Sequence, residues 1–397
     1  MLHNPSSAIA TKANDRGGLA LYIHWPFCVS KCPYCDFNSH VRSDIDVDDW
    51  RSALIFDLRH EHQVNPAPTI GSIFFGGGTP SLMPPQLVAD LIAQADDLWG
   101  LSPQCDITLE ANPSSVEAAR FSELALAGVN RISLGLQSLD DQSLRFLGRA
   151  HSVDESLVAL DIAQQNFARM SFDLIYARPG QSIDAWESEL TRAIRFGTGH
   201  LSLYQLTIEP GTQFETLVRT GKLTPADDDH CADLFEITRQ ITTAAGIPAY
   251  EISNHARAGQ ESQHNLTYWR YQDYVGIGPG AHGRRGGMAT QRHKKPENFL
   301  AAITRNGHGL QEERLLPPQE QAVEALLMGL RLAEGIAPDE MAARFGLSVW
   351  QMLDKAAIGR LSRLGLLRAE GSRLHVTAKG MPLLDAILPE IVAVTAG

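Results

Sequence analysis

The stretch HWPFCVSKCPYCDFNSH, residues 24–40, holds three of the chain's five cysteines, Cys28, Cys32 and Cys35, within eight residues. Pro26 and Pro33 stiffen it and no amphipathic period runs through it, so it reads as a tight loop. Structural zinc closes its tetrahedron with four protein ligands. Three soft thiolates with one position left open suit a [4Fe-4S] cluster whose unique iron binds something exchangeable. His24 or His40 completing a zinc site is the alternative, although the second cysteine pair of a zinc ribbon is absent. Cys105 and Cys231 read as small buried apolar groups.

Outward from that loop, residues 19 to about 246 alternate short β-branched apolar runs with longer amphipathic ones. The strand-like runs are LALYIHW (19–25), IGSIFFGGG (70–78), CDITLEANP (105–113), RISLGLQS (131–138), MSFDLIYARP (170–179) and HLSLYQLTIE (200–209). Helix-like segments such as DDWRSALIFDLRHEH and SVDESLVALDIAQQ lie between them, several opening on Asp, Ser or Pro. Six such units predict an α/β fold, a partial (β/α)6 TIM-like barrel with a parallel sheet and helices outside. In barrels of this kind the working residues sit at the C-terminal strand ends. There the cysteine loop follows the first strand, and GGGTP, EANP, GLQS, FDLIY and YQLT close the next five. Glu110, Gln137 and Asp173 are polar where a purely structural strand is apolar, and each is either a rim group or part of a site.

The remaining organisation follows from composition. Residues 1–18 are polar and read as a disordered tail without a leader peptide. The core is expected over 19–250, and a strand-and-loop extension rich in Gly, His and aromatics over 251–310. A small C-terminal winged-helix-like domain, three helices and a hairpin, is expected over 311–397. Winged helices usually read DNA, but from 315 onward 8 Lys and Arg face 9 Asp and Glu, and the whole chain carries −12. No nucleic-acid partner is therefore expected. No run of about 18 apolar residues predicts an integral membrane segment, and the few cysteines fit a reducing, cytoplasmic compartment.

Several of these stretches carry a resemblance. CVSKCPYC after a first strand, followed by GGGTP at the next strand end, resembles the signature of the radical S-adenosylmethionine (SAM) superfamily. LYIHWPFCVSKCPYCDFNSH, FFGGGTPSLM, EANP, RISLGLQS, LGRAH, FDLIY and GIGPGAHG together resemble its oxygen-independent coproporphyrinogen III oxidase family, over residues 19 to about 390. The resemblance implies that Cys28, Cys32 and Cys35 hold a [4Fe-4S] cluster whose open iron chelates SAM. It implies SAM contacts at Tyr22, Tyr34, Gly77, Gly78, Thr79, Glu110, Gln137, Arg149, Asp173 and Thr207. In DLIYARPGQ the family tends to have Gly-Leu where this chain has Ala177 and Arg178.

Two sub-families share that scaffold, the decarboxylating oxidases and the heme chaperones typified by HemW. The oxidases carry a further cysteine two residues after the third, where this chain has Phe37, and a longer N-terminal extension. HNLTYW (264–269) resembles the HNxxYW motif of the chaperones, which makes His264 a candidate heme-iron ligand and Tyr268 a candidate porphyrin contact. A buried, hydrogen-bonded His264 is the competing reading, and His24, His255 and His282 are rival imidazoles. The resemblance thus implies heme as a further cofactor and heme-acceptor proteins as partners. It also implies a low-potential electron donor of the flavodoxin or ferredoxin type if radical turnover occurs. A homodimer is compatible with it.

Overall fold

A computed structural model describes residues 18–42, 44–66 and 69–393. The expected tail lies outside these residues but for Gly18. The strands are β1 (Leu19–Trp25), β2 (Ile70–Gly77), β3 (Leu101–Ala111), β4 (Arg131–Gln137), β5 (Arg169–Tyr176), β6 (His200–Gln205), β7 (Asn254–Ala256), β8 (Tyr274–Ile277), β9 (His282–Arg285), β10 (Met288–Arg292) and β11 (Leu310–Leu315). They form one sheet in the order β11-β10-β9-β8-β1-β2-β3-β4-β5-β6-β7. β8 and β1 to β6 run parallel, while β7 and the β9-β10-β11 meander attach antiparallel. The fold is α/β around a large parallel sheet.

The strands alternate with a period of two, broken by register shifts at Ile70/Ser72 and Leu134/Gln137, and that period builds the site. Leu19, Leu21, Ile23 and Trp25 of β1, Ile73 and Phe75 of β2, and Ile107 and Leu109 of β3 all enter the main hydrophobic core. So do Ile132 and Leu134 of β4, Phe172 and Leu174 of β5, and Leu201 and Leu203 of β6. There they meet helix residues such as Trp50, Leu54, Leu58, Leu91 and Trp186. Because side chains alternate across a strand, the intervening residues share the opposite, inner face. Those are Tyr22 and His24, Ser72, Thr108 and Glu110, Arg131 and Ser133, Ser171 and Asp173, then His200 and Ser202.

Helix starts are set locally. Asp46 accepts from the N–H of Asp48 and Asp49 to open helix Val47–Val64, and Ser152 with Glu155 forms a capping box on Val153–Asn166. The first of these helices also buries charge. Asp57 accepts from Arg292 Nε (3.1 Å), Gly278 N (3.2 Å) and Gly309 N (3.0 Å). Glu61 accepts from Arg292 Nη2 (2.5 Å) and Arg285 Nε (2.8 Å). This network fastens the helix to the β8–β10 edge.

Two stretches differ from the sequence reading. HNLTYW, expected as strand or loop, lies in helix Gln263–Trp269, which starts where Ser262 accepts from Asn265 N (3.3 Å). Its residue types have modest helix propensity, so the cap and burial of His264, Leu266 and Thr267 against the sheet decide the conformation. The long third C-terminal helix splits into Val349–Met352 and Lys355–Arg363, because Asp354 caps the second by accepting from Ala357 N (2.7 Å). The expected hairpin forms from Leu367–Glu370 and Arg373–Val376. Among the described residues no helix is long and apolar enough to cross a membrane.

Candidate functional site

The loop after β1 is held at both ends by backbone. His40 N donates to Pro26 O (2.7 Å), the Phe27–Cys28 segment pairs with His40–Val41, and Phe214 N donates to Pro33 O (3.0 Å). Cys28 is buried, Cys32 and Cys35 are half-buried, and all three are free thiols. Burial pushes the Cys28 and Cys35 thiols above their ordinary range, so a neighbouring positive charge is needed to make thiolates of them. His24 does not offer a fourth ligand in this geometry. Its Nδ1 meets Tyr22 Oη (2.9 Å), its Nε2 meets Asn38 O (2.9 Å), and burial lowers its pKa to about 4.

The end of β2 comes up beneath the loop. Gly78 N donates to Trp25 O (2.7 Å) and Thr79 N to Phe27 O (2.8 Å), and Thr79 Oγ1 approaches Cys28 Sγ at 3.6 Å. A Cβ on Gly78 would stand 2.6 Å from Phe27 O and 3.0 Å from Cys28 Sγ. One on Gly77, whose φ is +116°, would stand 2.7 Å from His24 Cε1. Only glycine fits both approaches.

Around this cradle the other predicted residues gather at the C-terminal strand ends. Glu110 Oε2 accepts from Gly77 N (3.3 Å). Asp173 Oδ1 accepts from Ser133 Oγ (3.5 Å). Burial, then the charge of Asp173, pushes Glu110 up to about 8, and burial pushes Asp173 up to about 6. Glu110 thus holds a proton near neutrality that a cationic neighbour would displace. Arg149 Nη1 donates to Cys32 Sγ (3.4 Å), and its Nη2 donates to Gly135 O (3.0 Å) and to Asn112 Oδ1. Its Nε is buried with no partner. Tyr34 lies beside Arg149 and packs on the Phe214 ring at 6.4 Å. Gln137 takes φ +70° where β4 slips register against β5, a bulge that re-aims its side chain. Thr207 is exposed on the loop after β6. Ala177 has φ +54°, the conformation that explains the family's preference for glycine there.

Asn112 was missed by the sequence reading. It bridges Thr79 Oγ1 (3.4 Å) and Arg149, and its own N–H donates to Glu117 Oε2 (2.8 Å). The signal was its place in EANP, one residue past the end of β3.

His264 and Tyr268 adjoin this cluster on the inner face at the level of Ser72, the His264 ring lying 6.4 Å from that of Tyr22. His264 Nδ1 meets Ser72 Oγ (3.0 Å), its Nε2 meets Tyr268 Oη (2.7 Å), and its ring stacks on Phe74 at 5.0 Å. It is 1% exposed, and burial lowers its pKa to about 3. Iron ligation by His264 requires one of those two bonds to open.

The sequence profile of the Radical SAM superfamily matches residues 22–193, and that of the HemN C-terminal domain matches residues 316–383. Heme chaperone HemW of Escherichia coli (strain K12) is 39% identical over 338 residues, covering 83% of this chain and 86% of that protein. The chain belongs to the radical SAM superfamily, in its HemN and HemW family. The mitochondrial Radical S-adenosyl methionine domain-containing protein 1 of Mus musculus is 37% identical over 382 residues, 93% of this chain and 86% of its own. Coproporphyrinogen III oxidase (HemN) from Escherichia coli superposes with a TM-score of 0.80 at 20% identity, over 94% of this chain and 90% of that chain, which shows a shared fold.

Membership of the radical SAM superfamily implies SAM and a [4Fe-4S] cluster. The residues present fit both. Three free thiols share one loop, two glycines leave room that any Cβ would fill, and a buried Arg149 nitrogen lacks a partner.

Proposed function

We propose that this radical SAM protein is a heme chaperone, which binds heme beside a SAM-ligated [4Fe-4S] cluster and passes it to acceptor proteins. The observation that carries the reading is 39% identity to a protein named heme chaperone HemW along most of both chains. Phe37 in place of the oxidases' further cysteine supports it. On this reading Cys28, Cys32 and Cys35 hold the cluster. Arg149 neutralises the methionine carboxylate of SAM, Glu110 and Asp173 accept from its ammonium and ribose hydroxyls, and the Gly77–Thr79 backbone receives its methionyl part. Tyr22, Tyr34, Gln137 and Thr207 complete the contacts. The cluster, when bound, supplies a redox centre and an open iron; the protein's own part is to orient SAM and keep water off it.

Heme-acceptor proteins are the expected partners, with a flavodoxin- or ferredoxin-type electron donor if turnover occurs, in a cytoplasmic setting. The competing activity is that of the protein with the same fold, decarboxylation of coproporphyrinogen III. One anaerobic, cluster-loaded sample separates the two. A chaperone gives a one-to-one Soret shift with hemin and no CO2 from coproporphyrinogen III. Release of CO2 with 5′-deoxyadenosine, and no Soret shift, overturns the reading.

A further inference from the structure

Helix Gln263–Trp269 carries His264 and Tyr268, and its far end is fixed from outside the sheet. After Trp269 and Arg270 the backbone turns at Tyr271, whose φ is +54°. Tyr271 N donates to Tyr268 O (3.0 Å) and Gln272 N to Thr267 O (2.9 Å), the pair of bonds that closes a helix on a left-handed residue. Glycine or asparagine normally takes that place, because a larger side chain strains it. A buried tyrosine persists there only where its surroundings over-determine it.

Those surroundings are the C-terminal domain. Tyr271 is 2% exposed, and its ring joins a separate hydrophobic core with Ala322, Leu326 and Phe345 of that domain. Its Oη donates to Glu324 Oε2 (2.6 Å), and its carbonyl accepts from Arg344 Nη2 (2.7 Å). The two residues before it are held from the same side. Arg270 donates to both carboxylate oxygens of Glu334 (3.0 and 2.9 Å), and the Arg331 guanidinium lies 5.7 Å from the Trp269 ring centre. From the sheet, β9 contributes Arg284, whose guanidinium lies 3.5 Å from the Tyr271 ring centre and 5.4 Å from that of Tyr274. Tyr274 in turn packs edge-on against Tyr268 at 4.6 Å. An unbroken run of contacts therefore leads from Glu324 and Arg344 to the phenol that meets His264 Nε2.

We propose that Tyr271 is a positioning residue, through which the C-terminal domain clamps the motif helix and so presents His264 and Tyr268 to heme. The proposal rests on the chaperone reading and gives the C-terminal domain a part in it. The helix has seven residues, too few to hold its shape without tertiary support. Clamped, it meets heme already ordered. Released, it leaves heme binding to supply that order, which weakens binding.

The test uses the full, cluster-loaded chain, with iron and sulfide content checked for every variant. Tyr271→Phe removes the bond to Glu324, and Arg344→Met removes the bond to the Tyr271 carbonyl. Arg360→Ala, which breaks an exposed pair with Glu390 in the same domain, is the control. In heme-free protein the two clamp variants should speed hydrogen exchange across 263–272 about 10-fold and leave β1 to β6 as protected as in the parent. In a hemin titration both should bind about 5-fold more weakly. The control should match the parent on both counts. A merely structural role gives faster exchange throughout the C-terminal domain, or an unmoved hemin affinity. Either result overturns the proposal, as does unchanged exchange at 263–272, and each leaves the chaperone reading intact. A parent that binds no hemin sinks that reading, and the clamp's part in it.

Discussion

Arg149 joins the cysteine loop to the sheet by donating from one guanidinium to Cys32 Sγ (3.4 Å) and to the Gly135 carbonyl (3.0 Å). The side chain comes from the segment between β4 and helix Val153–Asn166, 117 residues from its sulfur partner. Arg149→Gln is expected to assemble the cluster, whose ligands are the three cysteines, and to bind SAM about 10- to 100-fold more weakly, the effect of losing one charge-assisted contact. Calorimetry on reconstituted protein measures it, and unchanged SAM affinity would remove Arg149 from the site.

Cys32→Ala should abolish cluster assembly and leave the fold, because the main hydrophobic core has no member in the loop between Cys28 and Ile45. Iron and acid-labile sulfide analysis beside far-ultraviolet circular dichroism checks both halves. A full iron and sulfide complement in Cys32→Ala contradicts the ligand assignment.

Gly78→Ala is expected to cost about 1–3 kcal/mol, the usual penalty of overpacking, because its methyl meets Phe27 O at 2.6 Å. The neighbouring atom is backbone, so the cysteine loop itself has to shift. Denaturant unfolding gives the stability loss, and the cluster loading of the same variant should fall with it.

Arg292 is fully buried between two carboxylates, with Asp57 at 3.1 Å and Glu61 at 2.5 Å. Arg292→Ala leaves both acids buried without their cation and should destabilise the chain by about 3–5 kcal/mol. Arg314→Ala, which breaks a surface pair with Glu320, should cost far less. Equal losses in the two variants would contradict the burial argument.

Stability should depend on pH in two windows of opposite sign. Glu110 is raised from 4.5 to about 8 and Asp173 from 3.8 to about 6. Both hold protons more tightly when folded, so their contribution is complete at acid pH and is lost as pH rises through those folded values. His24 is lowered from 6.5 to about 4 and His264 to about 3. They take up protons on unfolding, so their contribution is present above 6.5 and is lost as pH falls toward those values. Unfolding midpoints of cofactor-free Glu110→Gln should lose part of the fall between about pH 6 and 8. A slope identical to the parent's would place the Glu110 carboxyl in water.

Much of this protein is written locally. Leu19, Leu21, Ile23 and Trp25 against Tyr22 and His24 already announce a strand with one apolar and one polar face, because side chains alternate whatever the neighbours are. The cysteine spacing, the glycines of GGGTP and the caps at Asp46 and Ser152 act within a few residues and are legible for the same reason. Tertiary structure decided what spans the chain. Only pairing across about 250 residues shows that Tyr274–Ile277 adds a parallel strand beside β1. Only packing on Ser72 and Phe74 turns HNLTYW into a helix with its histidine spent. Asn112 becomes a site residue only because Thr79 and Arg149 arrive beside it from other units. Periodicity and capping are properties of a segment, whereas a hydrogen-bond partner from another segment exists only once the chain has closed.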